Sequence, residues 1–137
     1  MTVERTFVMI KPDGVAKGCI GKIIGRFEQN GFKILAMRME RLTREKAKEL
    51  YSPHKDKQFF NELVDFATSG LSVLMVIEGD DAIIKTRELI GATDPKKAAK
   101  GTIRGDLGTS ITYNVIHAAD SKENAQREGK LFFNEYF

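Results

Sequence analysis

At 137 residues, with 42% apolar and 30% charged side chains, the chain has the size and balance of one soluble globular domain, residues 1–137. No run of about 18 apolar residues occurs, which excludes a helical membrane span, and the polar start Met1-Thr2-Val3-Glu4-Arg5 reads as neither signal nor transit peptide. A net charge of +3, with 22 basic and 19 acidic side chains intermixed, is a poor footprint for nucleic acid and suits a small polyanion held by a few cations.

In chain order, Thr6-Phe7-Val8-Met9-Ile10 reads as a strand stopped by turn residues at Lys11-Pro12-Asp13-Gly14. Cys19, the lone cysteine, rules out an internal disulfide, suits the reducing cytosol and reads as small apolar filler. Ile20, Ile23, Ile24 and Phe27 recur at helical spacing up to Asn30-Gly31. Phe32 to Arg41 alternates as a half-buried strand. Helices are expected from Thr43 to about Tyr51 and from about Gln58 to Ser69, the second with Phe59, Phe60, Leu63, Val64 and Phe66 on its apolar face. Leu71 to Ile77 is the most hydrophobic strand and is placed centrally. Asp80 is expected to cap a helix reaching Ile90 and closed by Gly91. The stretch from Ala92 to Tyr113, about 22 residues of weak periodicity, is expected to be a working loop. Val115-Ile116-His117 forms a last strand, and Ser121 to Phe133 a last helix. The order nests a βαββαβ pattern, an α+β sheet with helices on one face in the ferredoxin-like arrangement.

Three stretches could bind phosphate. Lys11 at a strand end can aim an ammonium over the sheet edge, although Pro12-Asp13-Gly14 can equally be a plain turn. In Lys100-Gly101-Thr102-Ile103-Arg104-Gly105-Asp106-Leu107-Gly108, glycines leave the backbone free to approach a ligand and Arg104 offers a planar donor fork. The spacing is neither that of a phosphate loop nor that of a dinucleotide fingerprint, and a mobile surface loop is the plainer alternative. Arg87 lies on a helix where a solvated face would also account for it. His54 reads as exposed and inert. In Asn114-Val115-Ile116-His117-Ala118-Ala119-Asp120, a histidine sits at a strand end beside a loop, where a neutral imidazole can act as a nucleophile or serve a merely structural role. Two distant histidines and one cysteine make no zinc site, so any metal is expected to be Mg²⁺ carried by phosphates.

Taken together, Glu4-Arg5-Thr6-Phe7, Lys11-Pro12-Asp13-Gly14-Val15, Arg26-Phe27-Glu28, Gly31-Phe32, Lys100 to Asp106 and Asn114-Val115-Ile116-His117 resemble the nucleoside diphosphate kinase family over essentially the whole chain. The resemblance implies reversible transfer of a terminal phosphate from a nucleoside triphosphate to a nucleoside diphosphate. The cycle would be ping-pong, through a phosphohistidine on His117, with broad base and sugar specificity. It implies Glu128 orienting the imidazole and Tyr51 close to the transferring group. Lys11 and Asn114 would serve the sugar and phosphate region, Arg87, Thr93 and Arg104 the phosphates, and Phe59 the base. Mg²⁺ would arrive with the nucleotide, Asp120 reaching it through water, in a cytoplasmic homo-oligomer, hexamer or tetramer, built from dimers. Little chain follows the last helix, which resembles bacterial members, some of them tetramers.

One residue departs from the family pattern, which has serine where this chain has Ala119. The lost hydroxyl would sit beside the glutamate that orients the histidine, and such a bond is worth about 1 kcal/mol, up to about 3 if a buried partner is left unpaired. An active enzyme slowed by something like ten-fold is therefore expected. The alternatives are a catalytically weak nucleotide-sensing or nucleic-acid-binding protein on the same fold, and a histidine phosphocarrier without a nucleotide pocket.

Overall fold

The computed structural model describes residues 2–137; Met1 lies outside the described residues. Its strands are β1 (Val3–Ile10), β2 (Lys33–Glu40), β3 (Ser72–Asp80) and β4 (Ile116–Ala118). They form one sheet in the order β2-β3-β1-β4, and every neighbouring pair is antiparallel. Among the described residues six α-helices connect them, α1 (Pro12–Ala16), α2 (Ile20–Gln29), α3 (Arg44–Leu50), α4 (Phe60–Ala67), α5 (Ala82–Ile90) and α6 (Ile103–Leu107), and a seventh, α7 (Lys122–Phe133), follows β4. This is the expected ferredoxin-like plan. Both β1 and β3 run past their apolar centres into polar residues, to Val3 and Asp80, because each supplies the other's ladder and Arg5 meets Glu78 directly opposite at 3.1 Å.

Helices cover both faces of the sheet, not one. Side chains alternate across a strand, and in β1 and β3 both alternating sets are buried. Val8, Ile10, Val73, Met75 and Ile77 pack with Ile23 and Phe27 of α2 and with Ala82 and Ile90 of α5. Phe7, Met9, Leu74 and Val76 pack with Leu50 of α3, Val64 of α4 and Phe132 of α7. A strand buried on both sides reads as an unbroken apolar run, which is how these two appear in the sequence.

Three local expectations are corrected. Lys11-Pro12-Asp13-Gly14 is no simple turn, for Pro12 opens the short helix α1, where its missing N–H costs nothing. Asp80 ends β3, and α5 is preceded by Asp81 in a left-handed conformation (φ 48°) without a side-chain cap. The N–H of Ile83 donates instead to the carboxylate of Glu4, 79 positions earlier, at 3.3 Å. The stretch from Ala92 to Tyr113 contains α6, whose Thr102 hydroxyl caps it by accepting from the Gly105 N–H at 3.0 Å.

Candidate active site

His117 is the middle residue of β4. Its neighbours Ile116 and Ala118 enter the core beneath α2 and α5, so the imidazole faces the opposite side, towards α3 and α7. There it lies edge-on to Tyr51, with ring centroids 5.7 Å apart, and 6.2 Å from Phe7. Its Nε2 meets Oε1 of Glu128 at 2.6 Å, and Glu128 is only 3% exposed. A carboxylate accepts, so Nε2 carries the proton and Nδ1 keeps its lone pair.

The chain just before β4 is bent into an uncommon shape. Val115 has φ 64°, a left-handed conformation that a β-branched side chain resists, at a cost of roughly 1–3 kcal/mol. The surroundings hold it there. Its N–H donates to Asp13 Oδ2 at 3.1 Å, its carbonyl accepts from the Lys11 N–H at 2.8 Å, and the Ile116 N–H closes a three-residue turn onto the Asn114 carbonyl at 2.8 Å. Gly14 is required beside this turn, since a Cβ there would come within 2.9 Å of the Val115 carbonyl oxygen.

Three cations converge on the same cleft, which has a volume of about 400 Å³. Lys11 is 4% exposed and donates from Nζ to the Thr112 carbonyl and to Asn114 Oδ1, both at 3.0 Å. Burial pulls its pKa down to about 8, with Asp13 opposing and Arg104 adding to the fall. Arg104 is 5% exposed and donates to the Ile116 carbonyl at 2.7 Å; burial first, and then Arg87, lower its pKa to about 10. Arg87 reaches the Ala118 carbonyl at 3.1 Å. Neutral carbonyls orient all three without cancelling their charge. Asn114 closes the set by donating to the Thr93 carbonyl at 2.9 Å.

The outer part of the cleft is apolar and open. Phe59 is 44% exposed and shares the mouth with Leu63 and Ile111, whereas Phe60 turns into the core. His54, expected to be inert, is half-buried and lines the cleft 5.7 Å from the Phe59 ring; burial first, and then Lys57, lower its pKa. Two glycines of the segment before β4, Gly105 and Gly108, do not open backbone to a ligand. A Cβ on Gly105 would strike the Ala99 carbonyl, and one on Gly108 would meet Pro95 at 2.6 Å, so their small size serves packing of the chain on itself.

A family model described as "Nucleoside diphosphate kinase" matches residues 4–136. The chain belongs to the nucleoside diphosphate kinase family. A nucleoside diphosphate kinase of Saccharolobus solfataricus is 57% identical over 135 residues, 98% of each chain. Two solved kinases are also similar. That of Aquifex aeolicus superposes with a TM-score of 0.94 at 49% identity, covering 96% of each chain. A halophilic one from Halobacterium salinarum, in complex with CDP, gives 0.93 at 48% identity, covering 97% of this chain and 89% of that one. The protein is therefore an enzyme that moves phosphate between nucleotides, and the sensor or nucleic-acid-binding alternative is not favoured. Phosphotransferases of this family generally use a divalent metal. Among the described residues no helix is long and apolar enough to cross a membrane.

For a nucleoside diphosphate kinase the cleft brings together every residue singled out from the sequence: Lys11, Tyr51, Phe59, Arg87, Thr93, Arg104, Asn114, His117, Asp120 and Glu128 all line it. Sequence reasoning missed Arg127, Asn124 and Ile111, which line it too. Asn124, Arg127 and Glu128 stand at i, i+3 and i+4, one face of a helix, and that spacing was the available signal. Ile111, the lone large aliphatic side chain among polar loop residues, carried another.

Proposed function

We propose that His117 takes the terminal phosphoryl group of a nucleoside triphosphate and passes it to a nucleoside diphosphate. The observation that carries this reading is the 2.6 Å contact between Nε2 and Glu128, which leaves Nδ1 as the free nitrogen inside a cleft walled by three cations. Nδ1 attacks the γ-phosphorus, the bond to the β,γ-bridging oxygen breaks, and the diphosphate leaves. The phosphorylated ring keeps its Nε2 proton and becomes cationic, and the buried Glu128 carboxylate stabilises that charge. A second nucleoside diphosphate then attacks through its terminal oxygen and restores the imidazole, so the cycle is ping-pong and reversible.

Phosphoryl transfer has a loose transition state, so catalysis is chiefly in-line positioning and charge stabilisation. Arg87, Arg104 and Thr93 hold the phosphates, and Lys11 with Asn114 serves the sugar and the phosphate beside it. The Tyr51 hydroxyl is buried with no hydrogen-bond partner among the described residues, which suits a donor kept for the transferring group; burial first, and then Glu128, push its pKa up, so it stays protonated. Phe59 stacks on the base, and a stacking face accepts every base, so specificity is broad. Diphosphates such as the CDP bound by the Halobacterium salinarum relative belong to this substrate class.

We assign Mg²⁺ as the metal. Among the described residues no group of three His, Cys, Asp or Glu side chains is placed to hold an ion, whereas Asp120 offers one carboxylate at the cleft. A hydrogen bond from Asn124 keeps the Asp120 pKa low against the opposing effect of burial, with Arg87 helping. This donor set fits an ion brought by the phosphates and contacted through water; bound, it neutralises charge on their oxygens. A cytoplasmic homo-oligomer built from dimers, hexamer or tetramer, with residues 1–137 as one catalytic domain, completes the reading. Brief exposure to γ-labelled ATP and Mg²⁺ followed by a GDP chase tests it. Acid-labile label on His117 that moves to GDP is expected, and label that never appears, or stays put, sinks it.

A further inference from the structure

We propose that Arg127 is a positioning residue for this reaction, tying the Glu128–His117 pair to the end of α3 that carries Tyr51. The inference rests on His117 being the nucleophile. Guanidinium has five N–H donors in a fixed plane, and each one finds an acceptor here. Nη1 donates to the Glu49 carbonyl at 2.6 Å and to Ser52 Oγ at 3.4 Å. Nη2 donates to the Leu50 carbonyl at 3.2 Å and to Glu128 Oε2 at 3.4 Å. Nε donates to Asn124 Oδ1 at 3.2 Å, and Asn124 in turn donates to Asp120 at 2.7 Å. One side chain thus joins α7, the last turn of α3 and the carboxylate beside the nucleophile.

The contact with Glu128 matters for orientation more than for stability. Arg127 is one-third exposed and its contact with Glu128 is long, a kind of ion pair that adds little to folding. Rotation of a carboxylate about its last torsion is soft, and one hydrogen bond, donated by His117 Nε2 to Oε1, leaves that rotation free. The second bond, donated by Arg127 Nη2 to Oε2, sets the carboxylate plane and with it the direction in which Nδ1 points. Small losses of aim at a nucleophile cost rate and not affinity. Lysine, a point charge with three donors, cannot serve all five acceptors at once.

The test measures the rate of His117 phosphorylation by γ-labelled ATP under rapid quench, with nucleotide affinity and circular dichroism alongside, for Arg127→Met and Arg127→Lys in the wild-type and Glu128→Gln backgrounds. Methionine should slow labelling about ten-fold and lysine about three-fold at unchanged affinity, and either should change it less than about two-fold once Glu128 is glutamine. A folded Arg127→Lys protein that labels at the wild-type rate overturns the proposal, even if the methionine variant fails to fold. So does a loss that persists undiminished in the Glu128→Gln background, or one confined to affinity. Wild-type protein that takes no label on His117 refutes the catalytic reading itself, and the role of Arg127 with it.

Discussion

The two ends of the cleft are built to opposite rules. At the inner end Lys11, Arg104 and Glu128 are each at most 5% exposed, and each is held by hydrogen bonds to carbonyls, an amide or a ring nitrogen. At the outer end Phe59 and Ile111 are 44% and 59% exposed and face solvent with their apolar surfaces. Buried charges act strongly because the surroundings screen them poorly, and they must be oriented in advance because an unpaired one is costly. An open aromatic face acts weakly and accepts many shapes. The difference separates chemistry, which needs fixed geometry, from recognition of a base, which here needs tolerance.

Substitutions at the two ends should therefore differ in kind. His117→Gln should lower turnover by about 10⁴-fold or more, since no other group can form the covalent intermediate; turnover within ten-fold of wild type would remove the inner end's claim to the chemistry. Arg104→Met should cost about 100-fold in kcat/KM, mostly in kcat, because a buried donor to the phosphates is lost. A pure KM effect would place Arg104 with recognition instead. Phe59→Ala should raise KM about ten-fold for purine and pyrimidine substrates alike, at nearly constant kcat. A selective loss for one base class would show that the mouth discriminates.

Two smaller effects sharpen the contrast. Lys11, with its pKa lowered to about 8, releases its proton as pH rises through that value. A neutral amine attracts phosphate less than an ammonium, so nucleotide affinity should fall, by about five-fold between pH 8 and 9. Titration calorimetry should show this slope in the wild type and not in Lys11→Gln, and equal slopes would assign it elsewhere. Ala119 is fully buried with Ile83 and Ala125, one helical turn before Glu128 on α7. Restoring serine there should raise kcat only about three-fold, because Arg127 already engages the second oxygen of Glu128. No gain would mean the hydroxyl is dispensable in this chain.

How much was legible beforehand follows from how local each feature is. Alternation and apolar runs located all four strands, and the stretch from Asn114 to Asp120 marked the histidine. The other residues that the resemblance implies line the same cleft. Asp80 as a helix cap failed because the acceptor that serves α5 is Glu4 on another strand. Gly105 and Gly108 misled because a glycine that admits a ligand and one that admits the chain's own carbonyl look alike in sequence.

By itself, the sequence determined which segments become strands, that the run from Leu71 to Ile77 lies centrally, and which side chains could bind and transfer a phosphate. These follow from side-chain period and residue chemistry, which act over a few positions. Only the tertiary structure decided that helices cover both faces, that Glu128 meets Nε2 and so frees Nδ1, and that Arg127 joins the end of α3 to the nucleophile's partner. The contacts of Glu128 with His117 and of Arg127 with Glu49 span 11 and 78 positions of the chain, and they exist only once the sheet has set the distance between the elements that carry them.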